Sequence, residues 1–198
     1  MVLSIGCPRR AKASLTCRNV LGVAEVTEEQ RQLAKAINFG LLYGMGAKGF
    51  RLYAQAQYGL HLTEAEAEHY RNAFFKAYPG LRRWHRSTPD KPIVTRTLAG
   101  RRRLDVTRYT EKLNTPVQGT GADGLKQALA LLWERRAECP GAFPVLVIHD
   151  EIVVECDAGQ AEAVKAWLRQ AMLDGMAPLI DPVPVEVEVT AGRTWACD

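Results

Sequence analysis

The sequence predicts an α+β fold, in which a mainly helical part is joined to a small antiparallel sheet. Helical patterns outnumber strand patterns along the 198 residues, and no strand–helix–strand rhythm indicates a parallel sheet. Two β-branched runs on either side of the polar insert 149–151 predict a hairpin. Near the C-terminus, residues 184–190 alternate apolar and polar side chains, which is typical of an antiparallel strand with one buried face.

Local capping signals and periodicity place the elements in order. Thr27 with Gln30 and Thr63 with Glu66 have the spacing of capping boxes, and each pair opens a helix. Pro79 suits the first turn of a short fourth helix, because the backbone N–H that proline lacks would have no helical partner there. The predicted elements are helices over 28–44, 47–57, 64–77 and 79–86, extended segments over 93–104, a helix over 109–137, the hairpin strands 144–148 and 152–156, a helix over 158–174 and the strand 184–190.

Composition favours a soluble globular protein in a reducing compartment. Apolar residues make up 47% of the chain and charged residues 24%, and no apolar run approaches the ~20 residues that span a bilayer. The cysteines are odd in number, scattered and free of any C-x-x-C pair, which argues against a disulfide framework or a zinc site. We therefore expect a cytoplasmic protein without membrane association. The cysteines are Cys7, Cys17, Cys139, Cys156 and Cys197.

Basic side chains are concentrated in the middle of the chain. Residues 76–112 hold eleven basic and three acidic side chains, whereas residues 113–198 hold six basic and thirteen acidic ones. A dense basic block inside an otherwise acidic chain is typical of contact with a phosphate backbone. The triplet Arg101-Arg102-Arg103 follows an extended segment and a turn, so we weigh nucleic-acid contact above a solvated charged helix face.

The first predicted helix carries four chemically different side chains at intervals of four residues. Four residues make slightly more than one helical turn, with an excess rotation of about 40°. The four side chains therefore form a stripe that winds gradually around the helix. Two cations suit a polyphosphate, and two aromatic rings suit a sugar or base face. Three glycines in or just beyond this helix lower its propensity by roughly 1 kcal/mol each, which favours close approach of a ligand over a purely structural helix. The four side chains are Arg31, Lys35, Phe39 and Tyr43, and the glycines are Gly40, Gly44 and Gly46.

This stripe resembles the fingers helix of family A DNA polymerases, the bacterial DNA polymerase I type. The resemblance implies that Arg31 and Lys35 hold the phosphates of a deoxynucleoside triphosphate and that Lys35 protonates the leaving group. It implies that Phe39 and Tyr43 position the sugar and the template base. The aromatic residue that packs on the sugar in this family is Phe39 here rather than a tyrosine. The resemblance thus implies discrimination against sugars that lack the 3′-hydroxyl.

The predicted hairpin turn carries the sequence His149-Asp150-Glu151. Two acids held close together at a tight turn repel one another unless a cation neutralises them, and Mg²⁺ is the natural partner of carboxylate oxygens. A solvated turn is the alternative that these residues alone leave open. The string is similar to the palm motif of the same polymerase family, which implies that Asp150 binds the metal. Glu151 would then be a supporting metal ligand, and His149 would lie near the primer end.

A third motif runs from Asn114 to Asp123. Asn114 and Gln118 are four residues apart, so their amides can point the same way towards the acceptors that every base pair offers in the minor groove. The matching family residues follow the template–primer minor groove, and the resemblance adds Arg101 and Arg102 to the expected DNA contacts. The family tends to carry a basic residue four positions before this Asn, where the present chain has Thr110.

The resemblance covers residues 20–198, the fingers and the C-terminal part of the palm. Residues 1–19 match nothing expected there. We predict that this basic lead segment is disordered or results from an incorrect start or reading frame of the coding sequence. The alternative hypothesis is a basic arm that binds DNA. No Asp or Glu precedes Glu25, so the metal-binding Asp that this family carries before its fingers helix is absent. Missing palm strands would leave an apolar sheet edge exposed.

Three functional hypotheses remain open at this point. The first is a DNA-directed DNA polymerase fragment that adds deoxynucleotides to a primer 3′ end with Mg²⁺, in replication or repair. The second is a non-catalytic remnant that binds nucleotide and primer–template DNA, or that works with a second chain supplying the missing part of the palm. The third is a metal-dependent nuclease that uses Asp105, Asp150 and Glu151.

Overall fold

The computed structural model describes residues 1–6, 15–23 and 25–195, which divide into two compact units. The unit that we call the helical unit comprises the described residues within 9–95 and 103–115. The sheet unit comprises those within 1–8, 96–102 and 116–198. The predicted α+β composition is confirmed, because one unit has a core formed by helices and the other has a core in which two helices pack with the larger sheet.

Helices α1 to α4 account for most of the helical unit, and two of them begin at the predicted capping boxes. Thr27 Oγ1 accepts a hydrogen bond from Gln30 N at 3.2 Å, and Gln30 Oε1 accepts from Thr27 N at 3.0 Å. The Thr63 and Glu66 pair makes the same reciprocal contacts at 3.2 and 2.8 Å. The helices span α1 Glu28–Leu41, α2 Ala47–Tyr58, α3 Glu64–Ala77 and α4 Pro79–Ser87, after a π-helical turn at Cys17–Leu21.

Close packing of α1 against α2 explains one of the glycines in the first helix. A Cβ built on Gly40 would lie 2.8 Å from Cδ2 of Phe50, a fully buried ring of α2. The hypothesis that Gly40 serves ligand approach is therefore wrong, since the glycine admits a neighbouring core ring. The core of this unit consists of Ala36, Ile37, Leu41, Phe50, Ala54, Ala67, Phe74 and Phe75.

A four-stranded antiparallel sheet in the order β4-β5-β1-β6 forms the sheet unit together with α6 and most of α5. Its central strand β1 pairs Leu3 with Val154 of β5 on one side and with Ala191 of β6 on the other. Strands β4 and β5 pair as an antiparallel hairpin, with a bulge between Pro144 and Leu146. The strands are β1 Val2–Gly6, β4 Phe143–Ile148, β5 Glu151–Glu155 and β6 Glu188–Gly192, and the helices are α5 Tyr109–Glu134 and α6 Ala161–Ile180.

Two further strands, β2 Ile93–Arg96 and β3 Arg102–Val106, form a separate two-stranded sheet, as the extended segments around Gly100 predicted. Gly100 has a φ of 88°, the left-handed conformation that glycine adopts most easily in a turn. The Gly100 N–H donates to the Thr97 carbonyl at 3.0 Å. This bond closes the turn that carries Arg101 and Arg102.

Strand β1 lies inside the segment that the sequence analysis left unmatched. Val2–Gly6 forms a five-residue strand in the structure. Residues 7–14 lie outside the described part of the chain, and the proposed mis-start of residues 1–19 stays a prediction. No periodic signal marked β1, because five residues are too few to distinguish a strand from an apolar run.

Two elements of the C-terminal part depart from their predicted bounds by four residues or more. Strand β6 runs from Glu188 to Gly192 rather than over 184–190, because its ladder extends only as far as its partner β1, from Val2 to Gly6. Helix α6 continues to Ile180, beyond the predicted end at residue 174. No described helix is long and apolar enough to cross a membrane.

The edge strand β4 exposes an apolar surface. Phe143 is 64% exposed and Val145 is 50% exposed. Leu146 and Val147 are also exposed, so apolar side chains lie on both faces of this edge. An open apolar edge strand readily pairs with another chain or segment.

Candidate nucleic-acid interface

The helical unit presents three of the four predicted nucleotide-binding side chains on helix α1. Phe39 is 57% exposed although it is a large aromatic residue, whereas Lys35 is half-buried and makes no ion pair with another described residue. Arg31 pairs with Glu28 of the same helix, with Nε 3.4 Å from Oε2. The Glu28 carboxylate is largely exposed, so this pair contributes little to stability and a phosphate can displace it. Residues spaced by four share one helix face, which here combines two cations and an open ring.

Tyr43 lies beyond the end of this helix. The predicted end near Gly44 is wrong by three residues, since α1 ends at Leu41 and Leu42 is its C-cap. The Gly44 N–H donates to the Leu41 carbonyl at 3.1 Å, and Gly44 adopts a φ of 82°. A turn, rather than helical spacing, therefore positions the half-buried Tyr43.

Gly44 is required by the packing of this turn. A Cβ built on it would lie 2.5 Å from Cε1 of Tyr109, a ring at the start of α5 in the same unit. The Tyr109 hydroxyl donates to the His85 carbonyl at 2.6 Å, which fixes the ring in place. The predicted role of Gly44 in ligand approach has no direct support, because its own backbone conformation and neighbours already explain it.

The hairpin turn of the sheet unit consists of His149 and Asp150. Ile148 and Glu151 are partners across the ladder, so only these two residues connect β4 and β5. His149 has a φ of 54°, where Gly, Asn or Asp is usual in two-residue hairpins. A bulkier side chain in the left-handed region is mildly strained, and such strain tends to occur at functional positions. Both side chains are exposed at the end of the hairpin.

The two acids of the predicted turn are in different environments, because Asp150 lies in the turn and Glu151 is the first residue of β5. Asp150 is exposed, while Glu151 is half-buried and its Oε1 accepts a hydrogen bond from Trp195 Nε1 at 2.9 Å. Sequence analysis did not predict the Trp195 contact, because the two residues are 44 positions apart and no local pattern links them.

A magnesium ion would find only part of its coordination sphere here. The open carboxylate of Asp150 suits Mg²⁺, which is commonly held by one or two carboxylates with water and phosphate oxygens. However, no group of three or more His, Cys, Asp or Glu side chains in the described ranges is arranged to hold a metal ion. The described residues therefore supply one ligand for a magnesium ion and do not complete its coordination. The nuclease hypothesis gains no support from these residues for the same reason.

The remaining predicted DNA contacts lie on the β2–β3 turn and on α5. Arg101 donates from Nε to Asp123 Oδ1 at 2.8 Å and from Nη2 to the Gly119 carbonyl at 3.1 Å. These bonds attach the turn to α5, a structural role that the sequence analysis did not identify. Arg102 is exposed and makes no ion pair with a described residue.

The two predicted amide contacts are both on α5 but belong to different units. Asn114 is half-buried and lies in the helical unit, whereas Gln118 is exposed and lies in the sheet unit. Pro116 interrupts the helical hydrogen bonding between them. The Thr120 hydroxyl donates to the Pro116 carbonyl and accepts from the Leu98 N–H at 2.9 Å, which links this part of α5 to the β2–β3 turn.

A family model matches most of the chain. The model described as DNA polymerase family A matches residues 14–197, so residues 1–13 lie outside it. The match includes the α1 stripe, the β2–β3 turn, α5 and the His149–Glu151 hairpin turn.

Bacterial DNA polymerases are among the relatives of this sequence. DNA polymerase I of Aquifex aeolicus is 42% identical over 181 residues, covering 88% of this chain and 31% of the relative. The thermostable DNA polymerase I of Thermus aquaticus is 38% identical over 179 residues, covering 83% of this chain and 20% of the relative. The chain thus spans between a fifth and a third of the length of these two relatives.

A solved structure has the same fold. The POL domain of Pol1 from M. smegmatis, in complex with DNA primer-template and dNTP, matches with a TM-score of 0.77 at 24% identity. The match covers 98% of this chain and 40% of that chain. The α1 stripe and the hairpin turn resembled one family in the sequence, and the family model covers both; the chain belongs to DNA polymerase family A.

Proposed function

We propose that this chain is the fingers and C-terminal palm portion of a DNA-directed DNA polymerase, which adds deoxynucleotides to a primer 3′ end. The observation that carries the proposal is the α1 face, where the half-buried Lys35 and the exposed Phe39 follow Arg31 at intervals of four. Family A polymerases share this activity, and replication and repair are the corresponding cellular roles.

On this proposal, helix α1 binds the incoming deoxynucleoside triphosphate. Arg31 exchanges Glu28 for a phosphate oxygen, and Lys35 binds the phosphates and gives a proton to the departing pyrophosphate. The exposed ring of Phe39 packs on the sugar, which lets the chain discriminate against sugars without a 3′-hydroxyl. Tyr43, held by the turn that follows the helix, positions the template base.

Primer–template DNA is the proposed macromolecular partner. Asn114 and Gln118 would contact minor-groove acceptors, and the exposed Arg102 would contact a phosphate. Arg101 would contribute to DNA binding by holding the β2–β3 turn through its ion pair with Asp123. Its side chain is half-exposed, so it could also contact a phosphate. His149 at the strained turn would contact the primer end.

Asp150 is the proposed metal ligand, with Glu151 held beside it by Trp195. Family A polymerases are metal-dependent, usually with Mg²⁺, and the ion supplies charge neutralisation at the reacting phosphate. The role of this chain's residues is to present one open carboxylate at a rigid two-residue turn.

A non-catalytic binding module is the second candidate for the isolated chain. The exposed apolar edge of β4 favours it, because a surface that includes Phe143 and Val145 suits coverage by the rest of a palm from another chain or segment.

The cytoplasm is the proposed location of this protein. Cys17, Cys139 and Cys156 are buried free thiols, which suits the reducing conditions of that compartment.

Nucleotide binding tests the proposal most directly. Replacing Lys35 with glutamine is expected to weaken the binding of a deoxynucleoside triphosphate about tenfold, because a charge-assisted contact to phosphate is lost. Equilibrium titration of the full chain with a fluorescent deoxynucleotide measures the change. Lys48→Gln removes the same charge from an exposed position on α2 and serves as the control. Equal affinities of the two variants would contradict the proposed site.

Primer extension distinguishes the two candidates. We expect the purified 198-residue chain to bind a primer–template duplex without extending it in Mg²⁺ and all four deoxynucleotides, since its described residues do not complete a metal site. Extension that disappears in Asp150→Asn would show that the chain holds a complete catalytic set and would refute the binding-module alternative.

A further inference from the structure

A cavity of about 220 Å³ lies within the helical unit, beside the turn that follows α1. At about 30 Å³ per water molecule, this volume corresponds to roughly seven waters, which is more than a phosphate group needs. Helices α3 and α4 supply most of its walls. The lining includes Gly44, Arg71, Asn72, Phe75, Arg82 and Arg86.

The cavity is strongly cationic. Among its lining residues are three arginines, of which Arg71 alone has a carboxylate partner within the described part of the chain, Glu68, at 3.1 Å. Arg82 and Arg86 are exposed, lie one turn apart on α4 and make no ion pair with any residue of the described ranges. Three guanidinium groups against one carboxylate leave a net charge of +2 at this site.

Hydrogen bonds and ring contacts hold the walls in place. His85 Nε2 lies 2.8 Å from the Leu42 carbonyl, and the Tyr109 hydroxyl donates to the His85 carbonyl at 2.6 Å. The Arg71 guanidinium lies 5.6 Å from the centre of the Phe75 ring. Burial lowers the pKa of His85, the Leu42 carbonyl opposes that shift, and Arg71 lowers the pKa further, so a neutral imidazole donates to Leu42. A cavity with fixed walls loses little conformational entropy when a ligand binds.

We propose that this cavity binds a phosphate group through Arg71, Arg82 and Arg86. Planar guanidinium groups recognise phosphate oxygens with two parallel hydrogen bonds, and the amide of Asn72 adds a neutral donor. Arg82 and Arg86 belong to the basic block 76–112, which the sequence analysis associated with a phosphate backbone. The phosphate is supplied either by the backbone of a single-stranded DNA segment or by a free phosphate compound. The inference does not depend on nucleotide binding at α1.

Arginine variants of α4 test this site against a matched control. Arg86→Gln and Arg82→Gln each remove one charge from the cavity, whereas Arg83→Gln removes the same charge from an exposed neighbour outside it. The probes are a labelled oligothymidylate, followed by fluorescence anisotropy, and inorganic pyrophosphate, followed by calorimetry. Asn72→Trp fills the cavity without changing its charge. Circular dichroism of each variant verifies that the full chain remains folded.

For a DNA phosphate, Arg86→Gln and Arg82→Gln are expected to weaken oligothymidylate binding about fivefold and to lower the salt slope by about 0.7, while Arg83→Gln stays within twofold. Asn72→Trp is expected to weaken oligothymidylate binding at least as much as Arg86→Gln does. If only pyrophosphate binding responds to these variants, the cavity binds phosphate and the source is a free compound. The proposal is overturned if Arg83→Gln matches Arg86→Gln with both probes, or if the wild-type chain binds neither probe. Lys35→Gln separately tests the α1 site, so failure of one site does not imply failure of the other.

Discussion

Replacing Gly175 with alanine is expected to lower the free energy of unfolding of the sheet unit by about 2 kcal/mol. A Cβ built on this residue of α6 would lie 2.6 Å from the backbone N of Ala128 and 2.7 Å from the carbonyl oxygen of Gly124. Both contacts are with the backbone of α5, so no side-chain rotation can relieve them. The two helices would have to separate and disturb the core that Leu125, Leu132 and Leu168 share.

Two opposing effects determine this magnitude. Alanine improves helix propensity by about 1 kcal/mol relative to glycine, while forced overpacking costs about 3 kcal/mol when backbone must move. Urea unfolding followed by circular dichroism measures the difference. Gly121→Ala is the control, since a Cβ at that position of α5 has no neighbour within 4 Å and should raise stability by up to about 1 kcal/mol. Equal shifts for both variants would show that α5 and α6 do not cross at Gly175.

Replacing Gly44 with alanine is expected to destabilise the helical unit by about 2 to 3 kcal/mol. The left-handed conformation costs a residue with a Cβ about 1–2 kcal/mol, and Gly44 has a φ of 82°. The new Cβ would also lie 2.5 Å from Cε1 of Tyr109, and moving that ring breaks its 2.6 Å hydrogen bond to His85, a loss of about 1 kcal/mol. Urea unfolding of the full chain reports the total.

The matched control for this variant is Gly59→Ala. Gly59 also has a left-handed φ, of 66°, but its Cβ would meet nothing within 4 Å. It should therefore show the backbone strain alone, about 1–2 kcal/mol. If Gly44→Ala costs no more than Gly59→Ala, the Tyr109 ring does not restrict the turn. Deoxynucleotide binding by Gly44→Ala is expected to weaken as well, because the same turn positions Tyr43.

Helices were predicted well because their signals are local. The reciprocal hydrogen bonds of Thr27 with Gln30 and of Thr63 with Glu66 join residues three positions apart, so the sequence contains both partners of each bond. The apolar side chains of α6, including Val164, Trp167 and Leu168, likewise recur at helical spacing in the sequence, and they are buried. The polar insert 149–151 was predicted as the hairpin turn, whereas Glu151 belongs to β5 and only His149 and Asp150 form the turn.

Long-range contacts account for what was missed. Strand β6 begins four residues later than predicted because β1 limits its ladder, and β1 itself carried no recognisable pattern. The glycines Gly40 and Gly44 were interpreted as signs of ligand approach, whereas Phe50 and Tyr109 occupy the space beside them. Neither ring could be assigned to its glycine from sequence spacing alone.

The sequence by itself determined the family resemblance, the order of the helices and the candidate site residues, because motifs and caps are encoded within a few consecutive positions. Tertiary structure alone decided that Arg71 shares a cavity with Arg82 and Arg86, that Trp195 holds Glu151 and that Gly175 meets Ala128. Each of these contacts joins residues from different elements. Their formation depends on how whole helices and strands pack, and no local pattern records that packing.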